Sequence, residues 1–322
     1  MEEQTLTLKI AERIEEPGNI VRLRLVDPEG AALPKFEAGA HLDLHLHDGE
    51  LDLWRQYSLC SDPAETGFYE IGVLLDPKTR GGSSAVHRLA VPGANFEVEG
   101  PRNHFPLAEE AGTTVLFGGG IGVTPMLAMA QRLHALGRDF TLHYCTRSQD
   151  RTAFRTVIEQ APWAESVVFH FDDGDDVQRL DPARDLPPPG KNTHLYVCGP
   201  EGFMDWLIGF AEANGHDSGN VHREYFSADI DASGDTFEVE ARLSGVTVTI
   251  GPEDTIARAL ARAGVKIEVK CEEGVCGTCV TDVLEGTPDH RDKFLTDEER
   301  EEGTMICACC SRACTSRLVL EI

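Results

Sequence analysis

Apolar and polar positions alternate through the first hundred residues in five short runs, TLTLKIAERI, IVRLRLVDP, AHLDLHLHDG, RQYSLCS and YEIGVLL, parted by Pro, Gly and Asp. A period of two belongs to half-buried strands, and short strands between turn residues predict an antiparallel β-barrel over residues 1–107. After Pro106 the pattern changes. Apolar runs TVLFGGG, FTLHYCTR, SVVFHFDDG and HLYVCGP alternate with helical stretches from about residue 125 to 136 and around residues 151–160. That alternation predicts βαβ units and an α/β domain with a parallel sheet over residues 108–226. The polar segment SADIDASGD, residues 227–235, reads as a linker. Beyond it FEVEARLSGVTVTI predicts a hairpin turning at Ser244 and Gly245, then a helix opened at Pro252-Glu253-Asp254, the start of a third, α+β domain over residues 236–322. Internal repeats and low-complexity tracts are absent from the 322 residues.

A formal charge of −26 at pH 7 supplies no basic footprint, so neither nucleic acid nor an anionic membrane is an expected partner. The acidic excess runs along the whole chain, which suits solubility or a saline habitat better than a single docking patch. No apolar run approaches the roughly 20 residues that span a bilayer. The start, MEEQTLTLKI, also lacks the basic and apolar segments of an export signal, so a soluble cytoplasmic protein is expected. Ten cysteines could suggest disulfides, but seven of them follow residue 270 instead of being spread as a framework.

Those late cysteines carry the most specific pattern. Cys271, Cys276 and Cys279 stand as C-x4-C-x2-C, and Cys309 follows after twenty-nine residues, the ligand spacing of a plant-type 2Fe-2S ferredoxin. Gly274 and Gly277 let backbone N–H groups turn toward sulfur without a Cβ clash. A structural zinc site is the plainer alternative, yet zinc knuckles favour paired C-x2-C units and one clear pair is present. Cys307, Cys309, Cys310 and Cys314 could each supply the last thiolate. Cys309 keeps the long spacing and is followed two residues later by Ser311, as in the ferredoxins this segment resembles. Cys307 and Cys310 then read as packing residues.

Two further segments suit phosphate. Arg55-Gln56-Tyr57-Ser58 ends a strand, with Arg55 and Tyr57 on one face. Thr79-Arg80-Gly81-Gly82-Ser83-Ser84 precedes the helical AVHRLA, a glycine-rich helix start whose N–H groups can bind an anion. Arg55 with Ser83 or Ser84 could hold one end of a phosphorylated cofactor, leaving Tyr57 beside its ring. Gly118-Gly119-Gly120-Ile121-Gly122-Val123-Thr124-Pro125 lies between an apolar strand and a helix, where a pyrophosphate-binding turn belongs, although its spacing is not G-x-G-x-x-G. Cys198-Gly199-Pro200 ends another strand at the ligand-binding edge of an open α/β sheet; buried packing explains Cys198 equally well.

With RQYS, RGGSS, GGGIGVTPM, VCGPEGFM, HREYF and CEEGVCGTC in that order, the chain resembles the phthalate dioxygenase reductase family over essentially its whole length. The resemblance implies a flavin barrel, a pyridine-nucleotide domain and a plant-type ferredoxin domain of β-grasp form. It implies FMN, with Arg55, Tyr57, Ser58, Gly82 and Ser83 around it. It also implies that Thr124 and Cys198 lie near nicotinamide, and that Glu224 and Phe226 close the site, the Phe226 ring covering the flavin until nicotinamide displaces it. The expected activity is hydride transfer from NADH to FMN, then single-electron transfer through a 2Fe-2S cluster to a terminal Rieske-type oxygenase. A flavin is the required intermediary, since nicotinamide gives two electrons together and the cluster takes one. Arg147 and Arg151 follow the strand FTLHYCT, where a 2′-phosphate would be met, and so argue against NADH. Alternative readings are a reductase for a diiron monooxygenase or cytochrome P450, and a zinc-binding scaffold without activity.

Overall fold

The computed structural model describes residues 5–49, 51–76, 81–226 and 231–322. Thr79 and Arg80 of the glycine-rich segment and residues 227–230 of the expected linker lie outside the described residues. The chain divides into two compact units, Met1–Glu224 and Tyr225–Ile322.

The first unit opens with β1 (Thr5–Glu16), β2 (Ile20–Val26), β3 (His41–Asp48), β4 (Leu51–Ser58) and β5 (Tyr69–Leu74), then α1 (Gly82–Leu89) and β6 (Asn95–Arg102). The six strands form one antiparallel sheet in the order β4-β3-β6-β1-β2-β5. Leu59, just past one edge strand, bridges to Ile71 on the other, so the sheet curls into the expected barrel-like form. The alternation is met in three dimensions: Leu42, Leu44 and Leu46 of β3 are fully buried, while His45 and His47 between and beyond them face outward. The sequence reading overlooked β6, which pairs with both β1 and β3. Its signal, Phe96 and Val98 alternating with Glu97 and Glu99, is only two alternations long.

A five-stranded parallel sheet follows: β7 (Thr113–Gly119), α2 (Val123–Ala135), β8 (Phe140–Thr146), α3 (Arg155–Gln160), β9 (Val167–Phe171), α4 (Pro182–Asp185), β10 (Thr193–Cys198), α5 (Glu201–Ala213) and β11 (Val221–Glu224). The order is β11-β10-β7-β8-β9, so the chain reverses direction across the sheet at β7. Ligands bind outside the carboxyl ends of strands at such a switch point. The expected helix around residues 151–160 is shorter because Phe154 takes the left-handed conformation, φ 58°, and helix begins only at Arg155. Both sheets share one apolar core. They meet at Gly72, where a Cβ would stand 2.7 Å from the Phe154 ring and 2.9 Å from the Thr124 methyl. The Phe154 N–H donates to the Glu16 carboxylate of β1 at 2.9 Å, which holds the left-handed residue in place.

The second unit contains β12 (Phe237–Ala241), β13 (Val246–Ile250), α6 (Ile256–Arg262), β14 (Val280–Glu285), β15 (Pro288–Asp289), α7 (Asp297–Glu302), β16 (Met305–Cys307), β17 (Arg312–Ala313) and β18 (Arg317–Leu320). The main sheet runs β13-β12-β18-β14-β16, with β12 and β18 parallel. Ile256 and Leu260 of α6 are buried in the core they share with this sheet, the expected α+β arrangement. The hairpin turns at Ser244 and Gly245 as its sequence predicts, Gly245 at φ 67°. The helix opens later than expected. Thr255 caps it by accepting from the Arg258 N–H at 3.3 Å, so Pro252 and Glu253 form a preceding turn and Asp254 pairs with Arg262. Part of the expected linker is bound into this unit. Arg291 donates to the carbonyls of Asp231 and Ser233, and Arg312 to those of Ala232, Gly234 and Asp235. Among the described residues no helix is long and apolar enough to cross a membrane.

Candidate active site and cluster loop

At the carboxyl edge of the parallel sheet, Cys198 ends β10 directly beside Glu224, which ends β11, and beside Gly118 of β7. The Ser58 hydroxyl, at the end of β4, donates to the Glu224 carboxyl at 3.2 Å. Residues of both sheets therefore converge on one carboxyl group. Burial raises the Glu224 pKa to about 8, against the opposing pull of the Ser58 hydrogen bond. Burial therefore favours the protonated form of Glu224. Cys198 is fully buried, and desolvation with the nearby Glu224 pushes its thiol well above the ordinary value.

The glycine turn packs against this pair. A Cβ on Gly122 would lie 2.3 Å from the Cys198 carbonyl oxygen, and one on Gly119 would lie 3.0 Å from Phe203 and Pro200. Gly120 has φ 55° and open space where a side chain would be. Pro125 is buried in the first turn of α2. Thr124 is buried too, its hydroxyl donating to the Ile121 carbonyl at 3.0 Å and its methyl resting on Gly72. Further along the same sheet edge, Cys145, His170, Asp172, Arg179, Leu180, Phe203 and Trp206 line a cleft of about 320 Å³. The sequence reading had not singled out these residues. The amide N–H of Asp172 bonds to the Thr146 carbonyl and that of Asp173 to the Arg147 carbonyl, so two aspartates stand beside the first of the two arginines considered for a 2′-phosphate.

The helix α1 begins after Gly81, whose φ of 94° requires glycine, and has no side-chain cap and no acidic residue in its first turn. Its leading N–H groups keep their affinity for an anion. Arg55 lies across Gly82, where a Cβ would meet the guanidinium Nε at 2.7 Å. The buried Ser83 hydroxyl bonds to the Asp76 backbone, while Ser84 is exposed. Tyr57 is half-buried against the apolar core. Phe226 belongs to the second unit and is 37% exposed.

In the second unit the segment from Cys271 to Cys279 is an irregular loop with positive φ at Glu272, Gly274 and Gly277. At Gly277 a Cβ would fall 2.2 Å from the Phe294 ring, so only glycine lets the loop close there. The Glu273 N–H points inward, 3.3 Å from the Cys271 sulfur. Pairing of β14 with β16 sets Val280 opposite Cys307 and brings Cys309 back to the loop. The Cys271 thiol contacts Cys276 and Cys309, and the Cys279 thiol contacts Cys307 and Cys309; these hydrogen bonds hold Cys271 and Cys279 below the ordinary thiol pKa. Cys309 alone among the late cysteines touches both. Four buried sulfurs with an inward amide suit an iron-sulfur cluster. Ser311 fixes the chain beyond Cys309, donating to the Asp292 carboxylate at 3.2 Å and accepting from the Arg291 N–H at 3.1 Å. Cys310 packs inward on the Cys307 carbonyl, and Cys314 is exposed.

Residues 239–314 match the sequence model of the 2Fe-2S iron-sulfur cluster binding domain. Over 306 residues the chain is 46% identical to the vanillate O-demethylase oxidoreductase of Pseudomonas sp. (strain HR199 / DSM 7063), covering 94% of this chain and 96% of that one. The solved phthalate dioxygenase reductase, described as modular for electron transfer from pyridine nucleotides to [2Fe-2S], is 39% identical with a TM-score of 0.75, over 99% of this chain and 98% of that one. The chain belongs to the phthalate dioxygenase reductase family. It is an oxidoreductase that carries a 2Fe-2S cluster and serves as the reductase component of an oxygenase system. The zinc-binding alternative is thereby set aside. An intact type IV self-sufficient cytochrome P450 monooxygenase also matches, 36% identical with a TM-score of 0.85 over 99% of this chain; this chain spans about two fifths, 41%, of that one.

Proposed function

We propose that this family member takes hydride from NADH onto FMN and passes single electrons through its cluster to a Rieske-type terminal oxygenase. The observation that carries the reading is the convergence of Ser58, Cys198 and Glu224 at the switch point of the parallel sheet. FMN bound on the antiparallel sheet supplies the exchange between two-electron and one-electron transfer. Arg55 and the N-terminus of α1, with Gly81, Gly82, Ser83 and Ser84, hold its phosphate, and Tyr57 and Ser58 flank its ring. The turn of Gly119, Gly120 and Gly122 lets the dinucleotide backbone approach closely, ahead of Thr124 and Pro125. Cys198 and Thr124 bound the nicotinamide position and exclude water there, with Glu224 beside them held toward its protonated form. The cleft with Phe203 and Trp206 takes the adenosine end. Asp172 there suits a free ribose diol, which supports NADH despite Arg147, Arg151 and the Arg179 that lines the same cleft. Cys271, Cys276, Cys279 and Cys309 ligate the cluster.

The test combines a spectrum with steady-state kinetics. The purified protein should show flavin and cluster bands, release FMN on denaturation, and give a higher kcat/KM with NADH than with NADPH. The likeness to a self-sufficient P450 supports a second reading, delivery to a haem partner. Electron delivery to a purified Rieske oxygenase but not to a P450 upholds the first; the reverse result overturns it.

A further inference from the structure

The antiparallel sheet carries a group of side chains that the reductase chemistry does not use. In HLDLHLH the leucines point into the core, which leaves His45 and His47 two residues apart on the outer face of β3. Register with β4 sets Trp54 opposite His45 and Asp52 opposite His47. The ligand atoms of His45, His47 and Asp52 all lie within 4.8 Å of one another. The His45 ring is held in place from two sides. Trp54 stacks on it at 4.5 Å with an interplanar angle of 2°, and Glu97 of β6 lies 3.2 Å from Nδ1. Its other nitrogen, Nε2, is presented to Asp52 Oδ1 at 2.6 Å.

We propose that His45, His47 and Asp52 form a surface site for a divalent transition-metal ion. Two imidazoles and a carboxylate suit zinc, copper or nickel and not magnesium or calcium, which take oxygen ligands. Glu97 occupies the position of the outer carboxylate that orients a ligating histidine and raises its basicity. His47 and Asp52 are exposed, so both can rotate the small distance that about 2 Å metal–ligand bonds require without disturbing the core. Binding replaces any proton on His45 Nε2 by the ion and releases that proton to solvent. Ser58 pairs with His41 at the other end of the same hairpin, so His47 stands about 20 Å of strand away from it. Occupancy therefore leaves the hydride step untouched.

Calorimetric titration of the holoprotein with Zn2+, with the cluster absorbance followed in parallel, tests the proposal. One saturable site should be seen in the wild type, unaffected by excess Mg2+. His45→Gln or His47→Ala should weaken it by about 10-fold or more, with NADH–ferricyanide activity and the cluster spectrum unchanged. Cys314→Ser, which removes the exposed thiol, should leave binding as it was. Absence of a saturable site, equal affinity in His47→Ala, or loss of the site in Cys314→Ser would each overturn the assignment.

Discussion

Arg312 is the most demanding side chain in the second unit. It is 2% exposed, and among the described residues no carboxylate accepts from it; its guanidinium instead donates to the carbonyls of Ala232 (2.7 Å), Asp235 (2.8 Å), Asp254 (2.9 Å), Gly251 (3.1 Å) and Gly234 (3.4 Å). The Phe237 ring lies 5.1 Å from its central carbon. Burial lowers its pKa from the ordinary guanidinium value. Replacing it by methionine keeps volume and removes every donor. The three shortest bonds, to a charged donor, contribute roughly 1.5 kcal/mol each. Gly234 and Asp235 are exposed and can turn to water, so part of that is recovered. A net loss of about 3 to 4 kcal/mol follows, within the range for removing one partner of a buried ionic group. In a unit of about 100 residues each kcal/mol lowers the midpoint by about 4 to 8 °C, so Arg312→Met should fall by about 12 °C or more. Arg312→Lys should recover less than half, because one ammonium cannot span acceptors on two sides.

The assay is thermal bleaching of the cluster absorbance in the intact chain at a fixed scan rate, with flavin release from the first unit as internal reference. Only the bleaching midpoint should move. A shift in Arg312→Met below about 4 °C would refute the reasoning, because it would mean that water satisfies all these carbonyls as well as the guanidinium does.

Cys309→Ser should lose the 2Fe-2S signal in electron paramagnetic resonance, while Cys307→Ser and Cys310→Ser retain it, because Cys309 touches both Cys271 and Cys279; an intact signal in Cys309→Ser would transfer the role to a neighbour. Glu224 binds its proton more tightly folded, at about 8, than at its ordinary 4.5, so its contribution to stability is whole below pH 4.5 and is lost as pH rises through about 8. Stability of the first unit against thermal unfolding should therefore fall with rising pH by at most about 1.4 kcal/mol per unit over that window, and Glu224→Gln should flatten the slope; an unchanged slope refutes the assignment. A chain ending near Phe226, just past the division between the compact units, should fold, bind FMN and reduce ferricyanide with NADH, yet fail with cytochrome c. Loss of FMN or insolubility of that fragment would show that the first unit needs the second.

The sequence was most legible where function constrains the backbone. Cysteine spacing, the glycine turn before α2 and the glycine pair before α1 announce themselves because only certain residues tolerate those conformations. Strand periods likewise exposed the antiparallel and parallel sheets of the first unit, apart from β6, with two alternations, and the four-residue β11, both too short for a period to reveal. The linker was read from polarity alone, and that is where the reading fell short: aspartates and serines signal few apolar contacts, but they leave their carbonyls free to accept. Arg312 and Arg291 take up those of residues 231–235 from eighty to fifty-eight positions away. Such pairing has no signature in the accepting residues, because every residue has a carbonyl. Ser58 and Glu224, 166 positions apart, posed the same difficulty in another form. Each is unremarkable alone, and family likeness, not any local pattern, suggested that they share a site. What makes that site chemical is the burial that raises Glu224 to about 8, and both sheets take part in it, since the carboxyl ends β11 and its partner Ser58 ends β4. A side chain on Gly72 would crowd the Phe154 ring and the Thr124 methyl where those sheets meet, so their close approach depends on a residue that contributes no functional group at all.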